Sequence, residues 1–242
     1  MSDLESTDAP TTNGQSDGAM TPTVGLGVLH LFCHVDESTR ADAVTLAVEK
    51  AVDRGDQVIP VAMLGHKADV GFMVLSKDQW SLRTFQTDIR LAGATVVDSY
   101  VSLTEISEYA AGVPEEMVNM RLYPELPPEG KNAWCFYPMS KLRRDEDQNW
   151  FTLDFDRRKE LMYEHGKSGR AFKGRVTQVI TGSTGIDDYE WGVTLFCLHP
   201  DDLKAVVYTM RFDEASSVYA DFGPFYTGMV APLADVLKSV GV

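Results

Sequence analysis

VGLGVLHLFCHVDESTRADAVTLAVEKAVDRG (24–55) decides the fold. Its first twelve residues favour a strand, and alternation sets Leu29, Leu31, Cys33 and Val35 on one face. The period then changes. Ala41, Val44, Ala47, Val48, Ala51 and Val52 recur at helical spacing across 37–55, and Gly55 suits the position just past a helix C-cap. A strand follows at 57–64 (QVIPVAML), another at 69–76 (DVGFMVLS), a helix at 78–93 and a strand at 95–106. The order β-α-β-β-α-β is that of a ferredoxin-like unit.

The second half repeats the order. AWCFYPM (133–139) reads as a strand and LDFDRRKELMYEHGKSG (153–169) as a helix. Strands follow at 174–181 and 189–198, a helix at 199–212 and a strand at 219–230, and APLADVLKSV closes the chain. The expected fold class is α+β: duplicated ferredoxin-like β-α-β-β-α-β units forming a dimeric α+β barrel around a shared apolar pocket. The expected organisation is a disordered polar tail (1–23), an N-terminal half (24–106), a linker of turn chemistry (107–132) and a C-terminal half (133–242) that holds the site.

Composition narrows the function. The 242 residues carry 36 Asp+Glu against 22 Lys+Arg, a formal net charge of −14. Such a surface argues against non-specific binding to nucleic acid or anionic membrane. No apolar run approaches the roughly 20 residues of a membrane span. The acidic, polar N-terminus lacks the basic and apolar regions of a signal peptide. Cys33, Cys135 and Cys197 are odd in number and far apart, which fits a reducing cytoplasm and offers no disulfide framework.

Few residues carry chemistry by pattern alone. His30 and His34 flank Cys33, but positions four apart in a strand lie about 13 Å apart and cannot share one ion. The GxG at Gly25 and Gly27 and the TGSTG at 181–185 have no helix N-terminus behind them, so neither cradles a phosphate. His165 stands three after Met162 and four after Leu161, on their inward helical face. Gly166 and Gly169 follow, so the helix is expected to end there and leave room for something flat. A neutral imidazole at a helix end, open to a cavity, suits an axial ligand of porphyrin iron. Lys141, Arg143, Arg144 and Arg121 gather around the strand holding Tyr137; such a run is usually a solvated charged face, and its functional reading is a rim for carboxylates of a ligand whose body lies in the barrel. A tyrosine beside a redox centre can also be oxidised to a radical.

Several linked motifs then add up to a resemblance. RLYPELP (121–127), FYPMSKLRR (136–144) with NWF (149–151), MYEHGKSGR (162–170), TQVITGSTGIDDYEWGVTLF (177–196) and MRFDEASSVYADFGPFYTG (210–228) resemble, in this order, the coproheme decarboxylases of the chlorite dismutase-like superfamily. The resemblance implies that His165 is the axial ligand to iron and that Tyr137 forms the reactive tyrosyl radical. It implies that Lys141 assists decarboxylation and that Arg121, Met139, Arg211, Ser216 and Tyr100 contact the porphyrin or its propionates. Gln178 takes the distal position, where chlorite dismutases proper carry arginine; the distal glutamine is the type common in Firmicutes.

The implied substrate is iron-coproporphyrin III, which also acts as redox cofactor. Hydrogen peroxide is the oxidant, and haem b, left after loss of two propionate carboxyls, is the product. The resemblance further implies a cytoplasmic homopentamer in transient contact with the coproporphyrin ferrochelatase. Two rivals stand beside this reading. A chlorite dismutase would release oxygen from chlorite. A non-catalytic haem carrier or sensor would need His165 but neither Tyr137 nor Lys141.

Overall fold

The computed structural model describes residues 18–110, 112–144 and 148–242. Most of the expected tail, residues 1–17, lies outside them. Residues 18–23 do not extend the tail: the Met20 N–H donates to Asp78 Oδ1 at 3.0 Å and the Met20 carbonyl accepts from Gln79, which docks them on a helix start.

The first half runs β1 (Gly27–His34), α1 (Ala41–Asp53), β2 (Gln57–Leu64), β3 (Val70–Ser76), α2 (Gln79–Leu91) and β4 (Thr95–Thr104). Gly55 follows α1 at φ +90°, the left-handed turn expected there. The linker contains a helix, α3 (Glu115–Leu122), opened by Pro114 with Glu115 and Glu116 in its first turn. The second half runs β5 (Ala133–Lys141), α4 (Phe155–Arg170), β6 (Val176–Gly182), β7 (Trp191–Cys197), α5 (Pro200–Met210), α6 (Glu214–Ser217), β8 (Ala220–Phe222), β9 (Tyr226–Val230) and α7 (Leu233–Ser239). The strand expected across 219–230 is thus two strands, broken where the Gly223–Pro224 pair interrupts the ladder.

All strand pairs are antiparallel. The order is β7-β6-β4-β1-β3-β2-β9-β5-β8, and β5 also pairs with β7, so the ladder returns to its start. The halves meet at two seams, β2 with β9 and β4 with β6. At the first, a Cβ on Gly228 would collide with the Ala62 carbonyl oxygen, so only glycine permits the approach.

The inside of this ring is filled with side chains, which corrects the expectation of a pocket within the barrel. Val28, Phe32, Ile59, Met73, Trp134, Phe136 and Phe196 pack there as one buried cluster. Eight strands close to an interior only wide enough for their own side chains. His30 shares that interior: its ring stacks on Phe136 at 4.1 Å between centroids and Nε2 hydrogen-bonds Thr194 Oγ1 at 2.9 Å. His34, at the end of β1, pairs instead with Asp69.

The outer face differs between the halves. In the first, α1 and α2 bury Val44, Ala47, Ala51, Leu82, Phe85 and Ile89 against Leu29, Leu31, Phe72 and Val74. In the second, α5 lies over β5 and β7, while α4 packs mainly on α5 and α6. β6, the counterpart of β2, keeps its outward Gln178 exposed and Ile180 45% exposed. No helix among the described residues is long and apolar enough to cross a membrane.

Burial pushes the His30 imidazole down to about 3 from 6.5. The folded state therefore rejects the proton that the unfolded chain accepts. Stability is lost as pH falls below 6.5, by about 2 kcal/mol at pH 5. Urea unfolding at pH 7 and pH 5 should show this loss in the wild type. His30→Phe should lose less over the same interval by about that amount; an equal loss in both proteins would remove His30 as the cause.

Candidate functional site

The site is built on the outward face of β5. Register alternates along this strand: Trp134 and Phe136 point into the ring, and Cys135, Tyr137, Met139 and Lys141 point out. On the same face Val193 pairs opposite Tyr137, and Ile180 pairs opposite Val193. Gln178 and Leu195 form the adjacent row with Cys135. Tyr137 and Gln178 therefore share one sheet surface, separated by strand β7.

Tyr137 is a buried ring with a free hydroxyl. Phe225 stacks on it at 4.4 Å between centroids, and Phe222 meets it edge-on at 5.7 Å. Burial raises its pKa, so the phenol stays protonated. Among the described residues nothing hydrogen-bonds its hydroxyl, in contrast to Tyr100, held by Ser183, and Tyr226, held by Asp98.

Helix α4 places His165. Asp154 caps the helix by accepting from the Arg157 N–H at 2.8 Å. Arg157, Leu161, His165 and Ser168 then recur every three or four residues along one face. Arg157 pairs with Glu214 of α6 at 2.7 Å. Leu161 is buried with Trp150, Ala215 and Tyr219. Ser168 donates to Asp213 Oδ1 at 2.8 Å, and His165 Nδ1 lies 3.2 Å from Asp213 Oδ2. The helix does not end at Gly166 as expected; it continues through Gly169 to Arg170, with Met210 of α5 packed 3.6 Å from the Cβ position of Gly169.

His165 is only 22% exposed. Burial lowers its pKa, the nearby Lys141 charge lowers it further, and Asp213 opposes both. The ring is thus neutral at pH 7. Asp213 Oδ2, 3.2 Å away, favours a proton on Nδ1, and Nε2 has no hydrogen-bond partner among the described residues. An imidazole held this way is suited to bind a metal through Nε2. The donor set fits one axial bond to an iron already held by a porphyrin; among the described residues no group of three His, Cys, Asp or Glu forms a site for a bare ion.

The expected cationic rim is not assembled. Lys141 is buried under α6 on the outer face, donates to the Ala215 carbonyl at 2.6 Å and lies 4.3 Å over the Trp150 ring. It stands two pleats along β5 from Tyr137, about 13 Å at the backbone. Burial brings its pKa down to about 8, against the opposing pull of Glu190. Arg143 pairs with Glu190. Arg121 is exposed on α3, and Arg211 ends α5 with its guanidinium over the Tyr208 and Phe212 rings.

Met139 is half-buried beside Tyr137. Ser216 Oγ lies 3.4 Å from His165 Nδ1. Tyr100 lies inside the ring, on the opposite side of the sheet from Tyr137. The structure thus joins His165, Ser216 and Lys141 around α6, and Tyr137, Met139 and Gln178 on the sheet. Sequence reading did not single out Asp213, Trp150, Phe222 or Phe225, although the carboxylate in MRFDE and the Gly-Pro break in DFGPFY were visible signals.

The Chlorite dismutase family model matches residues 38–231. The chain belongs to the chlorite dismutase family. It is 46% identical over 178 residues to the coproheme decarboxylase of Staphylococcus carnosus, covering 69% of this chain and 70% of that protein. The coproheme decarboxylase of Staphylococcus saprophyticus is 44% identical over 176 residues, with the same coverage. A haem-binding protein of Thermus thermophilus superimposes with TM-score 0.80 at 30% identity, covering 95% of this chain and all of that one. Chlorite dismutase of Candidatus Nitrospira defluvii in complex with imidazole shares the fold at TM-score 0.71 and 20% identity, covering 90% of this chain and 96% of that one.

The opposed influences on His165 give a test in the ligand-free protein. Lys141→Met removes a positive neighbour and should raise the imidazole pKa. Asp213→Asn removes the opposing charge and should lower it further. Ring ¹⁵N shifts across a pH titration read both. Shifts in the same direction for the two variants would contradict the geometry.

Proposed function

We propose that the protein converts iron-coproporphyrin III to haem b by oxidative loss of two propionate carboxyls, with hydrogen peroxide as oxidant. The observation that carries the reading is a pair of groups without hydrogen-bond partners among the described residues: His165 Nε2, with Nδ1 facing Asp213, and the Tyr137 hydroxyl. The coproheme decarboxylases among its relatives support the choice of substrate.

His165 holds the iron through Nε2 while Asp213 keeps the Nδ1 proton and fixes the ring plane. Gln178 faces the substrate from the exposed strand, and Met139 packs against the macrocycle. Arg121, Arg211 and Ser216 bind propionates, with Ser216 turning from His165 to do so; a contact from Tyr100 needs its hydroxyl to leave Ser183. The bound iron passes the oxidising power of peroxide to Tyr137. The Tyr137 phenoxyl then takes a hydrogen atom from a propionate side chain, which loses CO₂ and becomes a vinyl group. Each propionate yields two electrons and a proton, which with one further proton reduce one peroxide to two waters. Lys141, with its pKa near 8, holds or releases a proton close to neutrality.

The remaining features of the reading are architectural and cellular. The closed sheet comprises two ferredoxin-like units, 24–106 and 133–242, joined as a dimeric α+β barrel within one chain. The protein works in the cytoplasm as a homopentamer and meets the coproporphyrin ferrochelatase transiently. Its three free, buried cysteines suit a reducing compartment.

Tyr137→Phe tests the reading. Ring volume is kept, so coproheme affinity should stay within about threefold. Mass spectra after peroxide titration should show neither monovinyl nor divinyl product, while the wild type proceeds to haem b. Near-wild-type product from the variant would return the choice to a different peroxide chemistry. Wild-type protein that binds porphyrin but makes no product would leave a carrier.

A further inference from the structure

We infer that Phe225 is a positioning residue for Tyr137, and that it acts with Phe222 through the break between β8 and β9. The inference deepens the decarboxylase reading and rests on it.

Among the described residues no hydrogen bond holds the Tyr137 hydroxyl, so packing sets the angle of its ring. Tyr137 shares a buried cluster with Phe172, Val193 and Leu195, and two further rings lie against it. Phe225 lies nearly parallel, at 23°, and Phe222 stands at 65°. Such offset-stacked and edge-on pairs are the favoured aromatic geometries. Both rings remain more than a third exposed, Phe222 at 38% and Phe225 at 37%, while the Tyr137 they touch is 6% exposed.

The backbone between them is anchored. Gly223 donates to the Pro138 carbonyl at 2.9 Å, beside Tyr137 itself. A Cβ at Gly223 would stand 2.7 Å from Pro138 and from Tyr189, so a larger residue would lift the segment away. On the far side, Lys67 from the turn after β2 donates to the Phe225 carbonyl at 2.6 Å. The first half of the chain thereby reaches across to fix the ring that covers Tyr137.

A hydrogen-atom transfer needs the phenoxyl oxygen within contact distance of one propionate carbon and aimed at it. A misplacement of about 1 Å costs on the order of 100-fold in rate. Rotation about the Cα–Cβ bond moves the oxygen by more than that, and rotation about Cβ–Cγ turns the ring plane around a fixed oxygen. Holding the ring against Phe225 also keeps water off the radical's π face.

The test uses the full chain loaded with iron-coproporphyrin III. Phe225→Ala should bind coproheme within about threefold of wild type and lose about 10- to 100-fold in the rate of vinyl formation. The tyrosyl radical trapped after peroxide should show altered, broadened β-methylene proton splittings, because these report the ring dihedral. Phe225→Tyr, which keeps a flat ring, should restore both rate and splittings. Lys67→Met should shift both in the same direction by a smaller amount. Wild-type rate and an unchanged radical spectrum in Phe225→Ala would overturn the role of Phe225 while leaving the decarboxylase reading intact. Absence of product and radical from the wild type would sink that reading and this inference with it.

Discussion

Strand β5 has neighbours on both sides along its first four residues, β7 and β9, and that double pairing fixes which side chains face which way. In a closed sheet a one-residue slip would exchange every inward and outward side chain. It would drive Lys141 into the ring and expose Trp134. The register is therefore held by the whole cost of emptying the interior, and the chemistry on the outside inherits that rigidity. Tyr137 follows that doubly paired stretch directly, on the face opposite Trp134 and Phe136, and pairs with Val193 of β7.

The second constraint is an asymmetry between two halves of similar order. α1 covers β2 with alanine and valine, small residues that bring helix and sheet close. α4 is strongly polar, buries Leu161 alone, and leans on α5 and α6 through Arg157, Ser168 and His165. Leaving Ile180 half in water forgoes part of the roughly 1.5–3 kcal/mol that burying such a side chain typically contributes. Two glycines inside α4 cost about 1 kcal/mol each relative to alanine. These costs are concentrated around one histidine and one uncovered strand, where a flat porphyrin needs access.

Much of this was legible in the sequence because periodicity reports local structure well. The strand at 57–64 and the alternating order of strands and helices emerged from spacing alone, and Leu161 with His165 emerged as one helical face. Alternation does not say which face of a strand is interior, so a ring filled by its own side chains reads from sequence as a pocket. A run of cations does not reveal its partners, and Lys141 and Arg143 turned out to be engaged with Ala215 and Glu190. Asp213 becomes recognisable only when α6 is brought under α4, a contact between segments about 50 residues apart. Peroxide and porphyrin leave no signature in spacing; they entered through several motifs taken together.

The central claim is that substrate binds outside the barrel, against the outward faces of β5 and β6, with iron on His165. A crystal structure of the protein with iron-coproporphyrin III tests it most directly. The account predicts a bond from iron to His165 Nε2, the macrocycle on the surface that carries Tyr137 and Gln178, and the ring interior still filled by Phe32, Trp134 and Phe136. Porphyrin within the barrel, or iron bound by any other residue, would contradict it.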